Sequence, residues 1–328
     1  MNTTRMAYRH QNVATRTWPI ATLVLALAVA VVPVAASTSA DMAVALQGTD
    51  GTKGWLLKRG TSVLSSQNAG YVFEPASTIK FLHHLHAELM IQNNWISPAT
   101  PISGTNMYSG SCPVDSWNIW TEPFEDAMSR MMWNSDNSRT EAIKDYFGQG
   151  AINNTAHTLG ATSTNLNHKL GCGDAALANP NQMTLNDITT LYRKAFTGDL
   201  LTVENRQHMW ARMPNKLQQL KDTANYEAWS SYGQVLTGAP AAFMNNLKVA
   251  TKAGGYTLCS NGCKYYRSIA GYVEIPFQTI YGVLPLRYTF GIFIDKATKG
   301  EHLVDEAFDL AIREIFREEI NRALGTFF

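Results

Sequence analysis

Pro75-Ala76-Ser77-Thr78-Ile79-Lys80 opens the first strongly helical stretch of the chain, Ser77–Gln92, and the reading of the whole chain turns on it. Residues three apart share a helix face, so the Ser77 hydroxyl and the Lys80 ammonium can meet. A serine in a first turn also has unpaired backbone N–H groups beside it and the positive end of the helix dipole. Serine is a weak nucleophile unaided. A lysine whose pKa is lowered by burial or by a neighbouring cation can take its proton. On its own this pattern also describes any helix-opening serine followed by a solvated lysine.

The surrounding chain reads as strands, then helices, then strands, then a helix. Met42–Gln47, Gly54–Lys58 and Thr61–Ser65 are short extended candidates separated by turn residues. Helices are expected over Ser77–Gln92, Glu122–Trp133 with Thr121 as its cap, Arg139–Phe147 and Thr184–Phe196. Strand character returns at Val249–Cys259, Tyr265–Glu274 and Tyr288–Asp295. In the last helix Val304, Ala307, Phe308, Ala311, Ile312 and Ile315 recur at helical spacing before Gly325. This order predicts an α/β (α+β) fold: an antiparallel sheet built from both chain ends, with an inserted all-helical lobe. The sheet lobe is expected over 41–80 and 248–328, and the helical lobe over 81–247. A cleft between them is a natural ligand site.

Two further motifs single out Ser77. Ser135-Asp136-Asn137 follows it by 58 residues, and Lys252-Ala253-Gly254-Gly255 follows Ser135 by 117. SxxK, then SDN, then a K-[ST]-G-like triplet, in this order, resembles class A β-lactamases and their penicillin-binding relatives. Asn179-Pro-Asn-Gln-Met183 and Leu191–Leu201 look like the end of that family's omega loop and the helix after it, so the likeness covers nearly the whole chain beyond its leader. The resemblance implies a β-lactamase/transpeptidase-like fold and an exported serine hydrolase acting through an acyl-enzyme. Ser77 would be the nucleophile and Lys80 its base or proton relay. Ser135 would pass the proton to the leaving nitrogen, assisted by Lys252. Asn137 and Gly254 would contact substrate, and the backbone N–H groups of Ser77 and Gly255 would form the oxyanion hole. Asp136 is expected to bond inward and fix its turn. The substrate would be a β-lactam or a cell-wall peptide or ester, with D-Ala-D-Ala carboxypeptidase-like or esterase activity, or penicillin binding without turnover, as alternatives.

The departures from that pattern are chemical. The family's omega-loop Glu, which activates the deacylating water, has no counterpart, because no Glu occurs between Glu141 and Glu204. Depending on alignment, Leu170 or Ser163 falls at its place, and His168 and Asp174 are the nearby groups that could substitute. Ala253 stands where the family has a hydroxyl. Arg267 resembles the family's carboxylate-binding arginine, with an exposed strand arginine as the alternative.

The chain has 328 residues with 27 Lys and Arg against 26 Asp and Glu, which excludes a nucleic-acid-binding surface built on net positive charge. Arg5, Arg9 and Arg16 precede the apolar run Trp18–Ala36, making residues 1–36 a secretory signal peptide with cleavage after Ala36, or Ala40 as the second choice. The alternative is an uncleaved anchor, so membrane association would come through this segment only. Residues 37–328 would form the secreted or periplasmic hydrolase domain, a monomer. In an oxidising compartment four cysteines predict two disulfides, and Cys259-Ser-Asn-Gly-Cys263 encloses a hairpin turn, which leaves Cys112 with Cys172. Neither CxxxC nor the cluster His83, His84 and His86 has the companion spacing of a metal site, so no metal and no cofactor are expected.

Overall fold

The computed structural model describes residues 35–107, 114–171, 178–198, 200–233, 238–259 and 262–328. All described residues belong to one compact unit, within Val34–Phe328.

That unit is built on a five-stranded antiparallel sheet. Its strands are β1 (Thr52–Arg59), β2 (Ser62–Gln67), β5 (Lys248–Cys259), β6 (Cys263–Thr279) and β7 (Gly282–Ala297), in the order β2-β1-β7-β6-β5. The expected union of the chain ends is made by β1 against β7, where Trp55 faces Ile292. Strand side chains alternate faces, and here the alternation sorts two cores. Leu56, Ala270, Tyr272 and Phe293 enter one apolar cluster with the helices between Lys80 and Arg212. Trp55, Leu57, Ile269, Val273, Ile292 and Ile294 enter the other, against the C-terminal helix.

The helices are α1 (Ala35–Ala45), α2 (Lys80–Gln92), α3 (Phe124–Trp133), α4 (Asn137–Phe147), α5 (Gln149–Thr158), α6 (Leu185–Thr197), α7 (Val203–Arg212), α8 (Leu217–Tyr232), α9 (Ala241–Asn246) and α10 (Glu301–Leu324). The six apolar residues expected to form the buried stripe of α10 are all buried, and Gly325 is its C-cap.

Three expectations are corrected. Met42–Gln47 is not a strand. Met42, Ala45 and Leu46 are buried at helical spacing in α1 and the turn after it, and Asp41 pairs with Arg317 of α10 at 2.6 Å. The inserted lobe is not all-helical, because β3 (Pro101–Met107) and β4 (Val114–Pro123) form a two-stranded antiparallel ribbon. The second expected helix starts at Phe124, with Thr121 and Glu122 in β4. Proline disfavours helical backbone at the residue before it, so Pro123 moves the boundary.

The Cys259–Cys263 disulfide is present between β5 and β6. The expected Cys112–Cys172 pairing lies outside the described residues. Ala36, the expected cleavage point, falls in the first turn of α1. Among the described residues no helix is long and apolar enough to cross a membrane.

Candidate active site

Ser77 lies in a short 3-10 turn, Ala76–Ile79, that runs directly into α2. In a 3-10 turn residues i and i+3 eclipse, which strengthens the expected alignment of Ser77 with Lys80. The turn is entered through Ala76 at φ +46°, a left-handed conformation unusual for a residue with a Cβ. The Ala76 N–H donates to Glu74 Oε1 at 3.2 Å, which holds this kink in place. Thr78 fixes the turn to the sheet: its hydroxyl lies 3.2 Å from the Lys252 carbonyl and 2.8 Å from Ser268 Oγ, which donates to the Pro75 carbonyl at 2.6 Å.

Lys80 is fully buried. Its Nζ donates to Asn137 Oδ1 at 2.7 Å, to Ser135 Oγ at 3.1 Å and to the Ser135 carbonyl. Burial, reinforced by the nearby Lys252, pulls its pKa well below the usual lysine range, while Asp136 and Glu141 pull more weakly the other way. Lys252 on β5 is also buried, and burial lowers it to about 8. Its Nζ donates to Ser135 Oγ at 3.0 Å and to the Ala253 carbonyl at 2.7 Å. Two lysines from different elements therefore converge on one hydroxyl. With both donating to Ser135 Oγ, the hydroxyl proton is free to point elsewhere.

Ser135 itself sits at φ +56°, so both serines are positioned by left-handed backbone, Ser77 through its neighbour and Ser135 directly. Asp136 turns inward as expected: it is the N-cap of α4, accepting from the Arg139 N–H at 2.9 Å. That cap places Asn137 in the first turn of α4, facing Lys80.

Gly254 explains why β5 can come so close. A Cβ there would lie 2.4 Å from the Ser77 nitrogen and 2.7 Å from that of Thr78. Gly255 is exposed on the same strand. Among the described residues nothing hydrogen-bonds the Ser77 hydroxyl, which is half-buried.

Among its described residues, the loop that carries a carboxylate in the resembled family brings none to the site. Leu170 belongs to the apolar core, and its N–H donates to Glu141 Oε1 at 2.9 Å. A Cβ on the next residue, Gly171, would lie 2.8 Å from Asn137 Nδ2, so the loop presses directly on the site. His168 points elsewhere, with Nε2 2.9 Å from Asn181 Nδ2 and 3.5 Å from Glu74 Oε2. Asp174 lies outside the described residues.

Arg267 is a correction. Its Nε meets Asp305 at 2.5 Å and its Nη2 meets Glu301 at 2.7 Å, both on α10, and Nη1 donates to the Tyr266 carbonyl. Alternation puts Arg267 on the sheet face opposite Ser268, so its guanidinium serves α10 and does not reach Ser77. The polar strand residue on the site face is Ser268, one position along. The period of β6 carried that signal, because Ser268 shares parity with the front-facing Ala270 and Tyr272. The histidine cluster is buried within α2. His86 Nδ1 bonds Thr155 at 2.8 Å, His84 pairs with Glu88, and the described residues contain no group able to hold a metal.

A sheet edge presenting a lysine and a glycine to a serine turn, across from a helical lobe carrying Ser-Asp-Asn, defines a hydrolase of the serine β-lactamase type. The chain belongs to the β-lactamase enzyme family, whose model matches residues 38–278. No curated protein matches it. Solved structures share the fold at low identity. A class A β-lactamase from Bacteroides cellulosilyticus is 17% identical, with a TM-score of 0.65 over 88% of this chain and 99% of its own. A β-lactamase from Xanthomonas campestris is 18% identical, with a TM-score of 0.63 over 87% and 98%. A point mutant of PBP-A, an acyl-enzyme complex with penicillin G, is 15% identical, with a TM-score of 0.59 over 87% and 96%.

Proposed function

We propose that the chain is an exported active-site serine hydrolase that opens β-lactams, or related acyl amides, through an acyl-enzyme on Ser77. The observation that carries this reading is the convergence of Lys80 and Lys252 on Ser135 Oγ, at 3.1 and 3.0 Å, beside a serine turn packed on β5. In its neutral form, favoured by burial, Lys80 keeps two of its three N–H donations and turns the freed lone pair to Ser77, taking that proton as Oγ bonds to the carbonyl carbon. The oxyanion is received by the Ser77 and Gly255 N–H groups. When the carbon–nitrogen bond breaks, the nitrogen takes its proton from Ser135, whose hydroxyl is left free to donate by the two lysines and is reprotonated from Lys80. Asn137 and Gly254 line the substrate's path, and the Lys252 ammonium attracts the substrate carboxylate. With Ala253 in place of a hydroxyl and Arg267 held by α10, Lys252 carries that recognition.

The buried Leu170 favours slow turnover, because no carboxylate stands there to activate water. Penicillin exposure followed by intact-protein mass measurement tests the reading: a stable Ser77-dependent adduct supports it, and no adduct with any lactam or activated ester removes it. Leu170→Glu separates binding from turnover. With Glu in place, adduct lifetime is expected to fall by at least about tenfold. An unchanged lifetime would instead favour a carboxypeptidase-like or esterase site that deacylates through Lys80 and Ser135.

A further inference from the structure

Beyond Ser77 along the same face of the sheet, Tyr256, Tyr266 and Asp295 follow one another across β5, β6 and β7. Tyr256 faces Tyr266 in register, and the bulge between Tyr265 and Arg267 brings β7 alongside. With Glu74 and Asn181 they line a cavity of about 360 Å³. It is separate from the reacting groups, since neither Ser77, Lys80, Ser135 nor Lys252 lines it.

Its chemistry is lopsided. Asp295 is 3% exposed and Glu74 is 5% exposed. Asp295 Oδ2 accepts the Glu74 N–H at 3.4 Å, whereas Oδ1 is buried with no hydrogen-bond partner among the described residues. A buried carboxylate oxygen left unpaired beside a second carboxylate is costly unless a cation or donor meets it. The two tyrosine rings stack with centroids 4.5 Å apart and add a surface that attracts organic cations. At the exposed rim Lys264 and Lys296 carry positive charge with no ion pair among the described residues. The described donors form no metal-binding group, and the volume suits a molecule larger than a bare ion.

We propose that this cavity is a second binding site that takes a small zwitterionic ammonium compound of amino-acid size. The ammonium sits against Asp295 Oδ1 and Glu74, the alkyl body against the tyrosines, and the carboxylate toward Lys264 and Lys296. Burial raises Asp295 to about 7 against the opposing pull of the Glu74 N–H bond, with the Glu74 charge adding a weaker upward push, so a bound ammonium drives proton release near neutral pH. The groups facing Asp295 are Glu74 and, behind it, His168; Tyr256 and Tyr266 across the sheet; and Lys296 beside it. Glu74 is raised by burial, and His168 is raised because Glu74 outweighs its burial.

Calorimetry on the full chain tests the site with L-lysine, a net cation whose α-amino and carboxylate groups supply the zwitterion, cadaverine as the dication lacking a carboxylate, and hexanoate as the anion. L-Lysine is expected to bind, with protons released at pH 7 and affinity rising as pH passes 7. Binding should persist in Ser77→Ala, which separates this site from the acylation reading. Asp295→Asn should weaken it about tenfold or more and remove the proton release, and Tyr266→Leu should weaken it even where Asp295→Asn fails to fold. The proposal is overturned if L-lysine does not bind at millimolar concentration, whether or not cadaverine does, if hexanoate binds as well as L-lysine, or if neither variant weakens binding.

Discussion

The two faces of the sheet are made of the same strands and do different work. On the α10 face, β6 and β7 present Ile269, Val273, Ile292 and Ile294 to an apolar helix stripe, and the Arg267 charge is neutralised by Glu301 and Asp305. On the opposite face the same sheet presents Lys252, Gly254 and Ser268. There Lys80 and Lys252 are buried with no carboxylate paired to them among the described residues, and left-handed residues hold both serines. One face stabilises the fold. The other spends some of that stability to hold groups in reactive states.

Substitutions on each face should therefore give opposite readouts. Lys80→Ala should slow Ser77 acylation by about 10²–10⁴-fold in a stopped-flow assay while thermal stability holds or rises, because a costly buried amine is gone. Phe316→Ala on α10 should do the reverse, lowering unfolding free energy by about 3–5 kcal/mol in a denaturant titration and leaving the acylation rate of folded protein unchanged. Loss of acylation in folded Phe316→Ala would break the contrast.

Gly254→Ala tests the contact between the faces' shared strand and the nucleophile turn. Its Cβ would fall 2.4 Å from the Ser77 nitrogen, so either β5 or the turn must move, and acylation should drop by roughly 10²-fold. A smaller effect follows from Lys252 at about 8. Its ammonium is present below that value and lost above it, so acylation of a carboxylate-bearing lactam should fall as pH rises through 8. Lys252→Arg should move that decline to higher pH, measured as a pH–rate profile. The smallest effect belongs to Arg267→Ala. It should change the acylation rate less than about twofold and stability by about 1 kcal/mol, since its pairs are partly exposed.

Much of this division was legible in the sequence. The three ordered motifs located Ser77, Lys80, Ser135, Asn137 and Lys252, and side-chain spacing located the buried stripe of α10. Short apolar runs were ambiguous: Met42–Gln47 fits strand or helix until its burial at i, i+3 and i+4 is seen. The β3–β4 ribbon carries little apolar alternation and so gave no signal. Arg267 was misassigned because motif likeness does not say which face a strand residue occupies, and a one-residue step reverses it. The left-handed backbone at Ala76 and Ser135 left no trace in composition, because tertiary contacts impose it.

The most direct measurement is the intact mass of the protein after exposure to penicillin, followed by peptide mapping. A covalent increment equal to one penicillin, located on Ser77, absent from Ser77→Ala and decaying slowly, is the predicted result. An unchanged mass, or an adduct that persists in Ser77→Ala, would contradict the assignment of Ser77 as the nucleophile.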